Sequence, residues 1–192
     1  MIPEKRLTKH IAIPQGVDVT LGDVLAVKGP KGEIIRELNH PSVEIVREGN
    51  DIVVKPKRFS KKEKTMINTF TAHLKNIMKG VTQGYTYKLK ICSGHFPMSV
   101  AVDGTTVVVK NFLGEKVARK AKIVPGTKVD IKGDEVLVTG CNKEDAGQTA
   151  ANIEQSCRIT NKCRTRFQDG IWITDKSGKV MYNGKAVSHK KE

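Results

Sequence analysis

Residues 17–33 read VDVTLGDVLAVKGPKGE, and residues 98–115 read MSVAVDGTTVVVKNFLGE. Val17, Val19 and Leu21 align with Met98, Val100 and Val102. After one extra residue, Asp103, Gly22 aligns with Gly104, Val27 with Val109, Lys28 with Lys110, Gly32 with Gly114 and Glu33 with Glu115. Further on, DIVV at 51–54 resembles EVLV at 135–138, and a helical pattern follows each. The period of about 82 to 84 residues is too long for a solenoid unit and suits a small domain. The sequence therefore predicts two tandem duplicated domains, 1–83 and 84–192.

Within each copy the apolar pattern changes period. Val17, Val19 and Leu21 alternate with Asp18 and Thr20, as in a half-buried strand. A turn at Gly22-Asp23 leads to a strand at 24–27. Gly29-Pro30-Lys31-Gly32 then reads as a hairpin loop before a strand at 34–38. Short strands are expected at 43–46 and 52–55. Ser60 and Glu63 fit a capping box. Ile67, Phe70, Leu74, Ile77 and Met78 then recur at helical spacing, and Gly80 is the expected stop. The second copy has strands at 107–110, 115–123, 129–131 and 136–139. Asn142 caps a helix whose stripe is Ala146, Ala150, Ile153 and Cys157. Together these predict an α+β fold, each domain a small, mostly antiparallel sheet packed on one helix.

The 192 residues carry 34 Lys plus Arg against 20 Asp plus Glu, a formal net charge of +14. Such a charge concentrates polyanions around the chain. No stretch approaches the ~20 apolar residues of a membrane-spanning helix, and the N-terminus has no apolar signal core. One Trp, three Tyr and five Phe are few for a binder that stacks successive bases of a single strand. Contacts to phosphates and to folded RNA or duplex shape fit better. The four cysteines are too scattered for a disulfide scaffold and lack zinc-site spacing. The five histidines form no metal motif, and 29–32 lacks the Gly-Lys-Ser/Thr of a P-loop. The sequence thus predicts no enzyme, no metal, no cofactor and no small-molecule substrate. A thiol or metal enzyme remains the rival that Cys157 and Cys163 leave open.

The positive charge is clustered. Lys55, Lys57, Arg58, Lys61, Lys62 and Lys64 crowd the start of the first helix, either to face an anion or as a solvated turn. Lys116, Arg119, Lys120 and Lys122 form a second cluster, and in a strand Lys116, Lys120 and Lys122 share a face. Glu37 and Leu38 stand opposite Arg119 and Lys120 in the first copy, so the copies diverged in charge. Phe112, near the hairpin tip, either reaches a partner or folds back on its sheet. Arg158, Lys162, Arg164 and Arg166 form the third cluster, with guanidinium forks suited to phosphate. Lys185, Lys190 and Lys191 end the chain as a basic tail.

Three stretches carry a resemblance: GYTYKLKICSGHFPMSV (84–100), VKNFLGEK (109–116) and RFQDGIWI (166–173). With the duplication, the chain resembles the universal large-subunit ribosomal protein six family, called protein nine in eukaryotic numbering. Phe167-x-Asp169-Gly170-Ile171 points to its eukaryotic and archaeal branch. The chain departs from that pattern at Glu154, where the branch favours Gln, and at Thr165, where it favours Arg. The resemblance implies a structural component of the large ribosomal subunit, without membrane contact. It would bind large-subunit rRNA mostly through the second domain, near the sarcin-ricin loop and the stalk base, beside neighbouring ribosomal proteins. It also implies a cytoplasmic ribosome, with nucleolar assembly in a eukaryote. The expected RNA ligands are Lys110, Asn111, Lys116, Arg119, Lys120, Lys122, Arg158, Lys162, Arg164, Arg166, Lys190 and Lys191. The alternative is a free-standing RNA-binding or RNA-chaperone module.

Overall fold

The computed structural model describes residues 7–22, 24–57, 60–163 and 165–181, and the backbone alone of 182, 185 and 186. The turn position Asp23, the cluster member Arg58, and the tail residues Lys190 and Lys191 lie outside the described residues. The chain divides into two compact units, Met1–Gly84 and Tyr85–Glu192.

In the N-terminal unit, β2 (Asp18–Thr20), β3 (Leu25–Gly29) and β4 (Gly32–Arg36) form one antiparallel sheet. A second sheet has β6 (Asp51–Pro56) between β1 (Lys9–Ala12) and β5 (Val43–Glu48). Helix α1 (Lys61–Gln83) packs on both sheets, burying Ile67, Phe70, Leu74, Ile77 and Met78. That is the stripe its 3.6-residue period predicts. The Ser60 hydroxyl accepts the Lys62 N–H and pairs with the Glu63 carboxylate, so the start of the helix is capped from its own sequence.

The C-terminal unit repeats this topology. β8 (Ser99–Asp103), β9 (Thr106–Lys110) and β10 (Arg119–Lys122) form the first sheet. The second runs β11 (Thr127–Lys132), β12 (Glu135–Gly140), β7 (Tyr85–Cys92). This matches the order β5, β6, β1. Helix α2 (Lys143–Ser156) follows β12 as α1 follows β6. Asn142 caps it by accepting the Glu144 N–H. Ala146, Ala150, Ile153 and Cys157 are buried. The unit then extends beyond the repeat. β13 (Gly170–Lys176) joins the free edge of β7, and β14 (Met181–Tyr182) pairs with β15 (Lys185–Ala186). The α+β class and the duplication expected from the sequence are what the fold shows.

Three local expectations are corrected. First, α1 runs past Gly80 and ends at Gly84, whose φ of 77° and N–H to the Gly80 carbonyl close the helix. Tertiary contacts hold the extra turn. Val81 is fully buried, and its carbonyl accepts the Lys31 N–H at the tip of the β3–β4 hairpin. Gly29 makes that approach possible, because a Cβ there would lie 2.8 Å from both the Val81 Cβ and carbonyl oxygen. Gly29→Ala is expected to destabilise the N-terminal unit by about 1–3 kcal/mol through overpacking. Denaturant unfolding followed at this unit would read the loss as a lowered midpoint.

Second, β10 begins at Arg119 rather than at residue 115. Residues 111–118 form a long loop with a 3-10 turn at Phe112–Gly114. Lys116 therefore lies outside the strand and does not share the face of Lys120 and Lys122. Third, the pairing register changes which residues correspond. Val27 faces Ile34, whereas Val109 faces Arg119. The first-copy counterparts of Arg119 and Lys120 are thus Ile34 and Ile35, not Glu37 and Leu38. The loop in the second copy is longer than the two-residue turn at Pro30-Lys31, which shifts the alignment. At these two positions the charge difference between the copies is smaller than the sequence offset suggested, because neutral isoleucines replace a carboxylate in the comparison.

Candidate nucleic-acid interface

Alternation along β9 and β10 sorts the cationic side chains. Val107, Val109 and Ala121 point into the core and are buried. Lys110, Lys120 and Lys122 fall on the opposite face and are exposed. Ser99 faces Lys110 across β8 and β9, and Ala101, Val108 and Lys120 lie abreast. The result is an outer sheet face on which three ammonium groups stand among Ser99, Ala101, Thr106 and Val108, with the exposed Asp103 carboxylate in the row of Thr106 and Lys122. Among the described residues, no carboxylate forms an ion pair with any of them. Lys116 is exposed on the neighbouring loop. Asn111 sits at φ 59° and donates through Nδ2 to the Pro97 carbonyl at 3.0 Å. Its side-chain amide thus ties two loops together, in a left-handed conformation that Asn tolerates.

Arg119 has a different role. Its Nε and Nη2 grip the Glu115 carboxylate at 2.8 and 2.6 Å. Its Nη1 donates to the carbonyls of Ser156 and Arg158 at 2.9 and 3.0 Å. The guanidinium also lies 4.3 Å from the centroid of the Phe112 ring. An arginine has five N–H groups, so four are directed at protein acceptors and one remains for an outside ligand. Arg119 fastens β10 to the end of α2, and with it the sheet face to the third cluster. Phe112, 1% exposed, folds back under that guanidinium.

The third cluster follows α2. Arg158, Lys162 and Arg166 are exposed, while Arg164 lies outside the described residues. The Lys162 ammonium and the Arg166 guanidinium are 5.4 and 6.0 Å from the centroid of the Phe167 ring. The other side of this region comes from the loop after β7. The His95 ring packs on Phe167 with centroids 4.8 Å apart. Between these segments runs a groove of about 1010 Å3. Ile159 and Ile171 lie on its floor, and Arg158, Arg166 and Trp172 on its walls.

Asp169, an acidic residue among these cations, holds the two segments together. Its side chain is 1% exposed. Oδ1 accepts the N–H of Gly94 at 2.5 Å and of His95 at 2.9 Å. Oδ2 lies 2.7 Å from His95 Nδ1, which carries the proton there because a carboxylate only accepts. Burial pushes the Asp169 carboxyl up, but the His95 N–H, the His95 ring and the Gly94 N–H together hold it below its ordinary value. The only sequence sign of this role was the Phe-x-Asp-Gly motif, because the partners lie more than seventy residues away.

The two departures at Glu154 and Thr165 also have places. Glu154 Oε1 accepts the Ile173 N–H at 3.1 Å, a bond that a Gln oxygen would accept equally. The Thr165 hydroxyl is 3.6 Å from the Cys163 thiol. Cys157 is buried and bonds Ser156, so neither thiol has an imidazole partner in the described residues. Among these residues no group of side chains has a metal-holding arrangement, and no helix is long and apolar enough to cross a membrane.

Fold and site together define a duplicated basic protein whose C-terminal unit gathers exposed ammonium, guanidinium and aromatic groups on the sheet face and beside the groove. The pattern of the family described as Ribosomal protein L6 matches residues 13–84 and 96–170. The chain is 48% identical over 171 residues to the large ribosomal subunit protein uL6 of Methanocella arvoryzae, covering 88% of this chain and 97% of that protein. It is 49% identical over 175 residues to the protein of the same description from Methanosarcina mazei, covering 90% and 99%. The chain belongs to the ribosomal protein L6 family. It is a structural protein of the large ribosomal subunit, not an enzyme.

Proposed function

We propose that this chain binds large-subunit rRNA through its C-terminal domain and supports the factor-binding region of the subunit near the stalk base. The domains are 1–83 and 84–192, and the second carries the RNA face. The observation that supports this reading is the grouping of Lys110, Lys120 and Lys122 on one outward sheet face. Lys116, Arg158, Lys162 and Arg166 extend the positive surface beside it. Arg164, Lys190 and Lys191 belong to the same proposal from their sequence alone. Asn111 and Arg119 enter as residues that hold the surface in shape, Arg119 with one N–H to spare. Lysine point charges contact phosphates without reading bases, so they set position and register on the RNA. The proposed neighbours are ribosomal proteins at the stalk base. In a eukaryote the chain would be assembled in the nucleolus.

Counterion release gives the test. Each phosphate contact adds about 0.7–0.9 to the slope of log affinity against log salt. Lys120→Gln with Lys122→Gln is therefore expected to lower that slope on purified large-subunit rRNA by about 1.4–1.8. The reversal pair Lys120→Glu with Lys122→Glu is expected to keep the chain out of large subunits in gradient sedimentation. Normal incorporation of the reversal pair with an unchanged slope would overturn the assignment of this face.

A further inference from the structure

The groove between the loop after β7 and the segment after α2 is more than a place for phosphates, which need no apolar floor. We infer that it receives an unpaired nucleobase of the bound RNA, seated on the Phe167–Trp172 wall. The inference rests on the RNA-binding reading above and names what that RNA must present.

Three observations carry it. The first is where the few aromatic rings lie. Phe70, Tyr85, Tyr87 and Phe112 are buried in the two cores. Of the three partly exposed Phe, Tyr or Trp rings among the described residues, Phe167 and Trp172 line this groove, while Phe96 lies beside Gly114. Trp172 is 46% exposed in spite of its size, and its indole N–H reaches the Gln168 carbonyl at 3.4 Å. The ring is thus held with much of its surface uncovered, a stacking platform of the kind that takes a base.

The second observation is the match between groove and ligand. A nucleotide combines a flat π-system with an anionic phosphate. The groove combines an apolar floor at Ile159 and Ile171 with Arg158 and Arg166 on its walls. Lys162 and Arg166 already stand over the Phe167 ring. Gln155 and Gln168 on the same walls offer amide donors and acceptors to a base edge. At about 1010 Å3 the groove is roomy enough for the sugar and phosphate that accompany the base.

The third observation is rigidity. The three hydrogen bonds to Asp169 fix one wall to the other before anything binds. A preorganised site spends less affinity on ordering loops.

The test uses the full chain and purified large-subunit rRNA. Trp172→Ala is expected to weaken binding about tenfold, the loss of one stacked base, with an unchanged salt slope because no phosphate contact is lost. Thermal unfolding of the variant confirms that it is folded. In a second arm, Trp172→p-benzoylphenylalanine is incorporated into large subunits and irradiated, and the expected crosslink is to an rRNA nucleotide whose base is unpaired. Unchanged affinity, or a fall in affinity that comes with a lower salt slope, would overturn the base-binding inference while leaving RNA binding intact. A crosslink to a ribosomal protein, or none in subunits that contain the variant, would overturn it too, and the former would assign the groove to a peptide. Failure of the unaltered chain to bind rRNA at all would remove the RNA reading itself.

Discussion

Phe112→Ala is expected to destabilise the C-terminal unit by about 3–5 kcal/mol, the usual cost of removing a fully buried aromatic ring from a packed core. Phe112 is 1% exposed and lies in the cluster formed by Val107, Val109, Ala121 and Ile153. Truncation leaves a cavity and also strips the Arg119 guanidinium of the ring 4.3 Å away. Arg119 holds β10 to the end of α2, so the loosening extends to the face that carries Lys120 and Lys122. Denaturant unfolding of the C-terminal unit would show the midpoint falling, with Phe112→Leu recovering a large part. The sequence left two roles open for this ring, and the same variant separates them. A ring that reaches into RNA would, on removal, weaken binding at unchanged stability. The packing predicts the reverse, with near-normal rRNA affinity for the fraction that stays folded.

Asp169→Ala is expected to cost about 2–3 kcal/mol and to free the loop after β7. Hydrogen bonds to a charged group contribute about 1.5–3 kcal/mol each, but Gly94 and His95 are exposed, so water can replace part of what is lost. Asp169→Asn should restore some stability by keeping one acceptor oxygen. The pH dependence supplies a second readout. The folded carboxyl lies below its ordinary value: burial raises it, but the hydrogen bonds from His95 and Gly94 more than compensate. The folded state therefore holds this proton less tightly than the unfolded chain. By linkage, the contribution is fully present above the unfolded value of about 4. It is lost as the pH falls through the lower folded value. Unfolding of the unaltered protein between pH 5 and 2 should lose this increment, and Asp169→Ala should show a correspondingly shallower acid slope. Equal acid slopes in the two proteins would contradict the arrangement around Asp169.

Much of the fold was legible because its signals are local. The alternation at Val17, Val19 and Leu21 and the stripe from Ile67 to Met78 each follow from the period of one element. Ser60 and Asn142 announce helix starts within a few residues. The duplication was legible because the same signals occur twice. What escaped the sequence depends on partners far along the chain. Gly80 reads as a stop, yet the β3–β4 hairpin holds Val81 and carries the helix to Gly84. Sequence spacing paired Arg119 with Glu37, but the strand register, set by a longer loop, pairs it with Ile34. At the candidate site, charge counting found the lysines of β9 and β10 and the cations after α2. It could not separate Arg119, consumed largely by protein acceptors, from Lys120 beside it. Nor could it find the groove, whose walls are joined by hydrogen bonds between Asp169 and residues 94 and 95.

The position of β13 bears on how the chain matures during synthesis. The N-terminal unit has all its strands and its helix once Gly84 has emerged, so it can fold early. The C-terminal unit opens with β7, whose Tyr85, Tyr87, Leu89 and Ile91 are buried in the finished sheet. One flank of β7 is covered by β12, but the other waits for β13 at Gly170–Lys176. From the synthesis of β7 until that of β13 this second flank is an unpaired strand edge beside apolar side chains, the kind of surface that recruits other chains. Truncated products that end between α2 and β13 should therefore be aggregation-prone nascent species, and the emergence of Gly170–Lys176 is the step that ends their exposure.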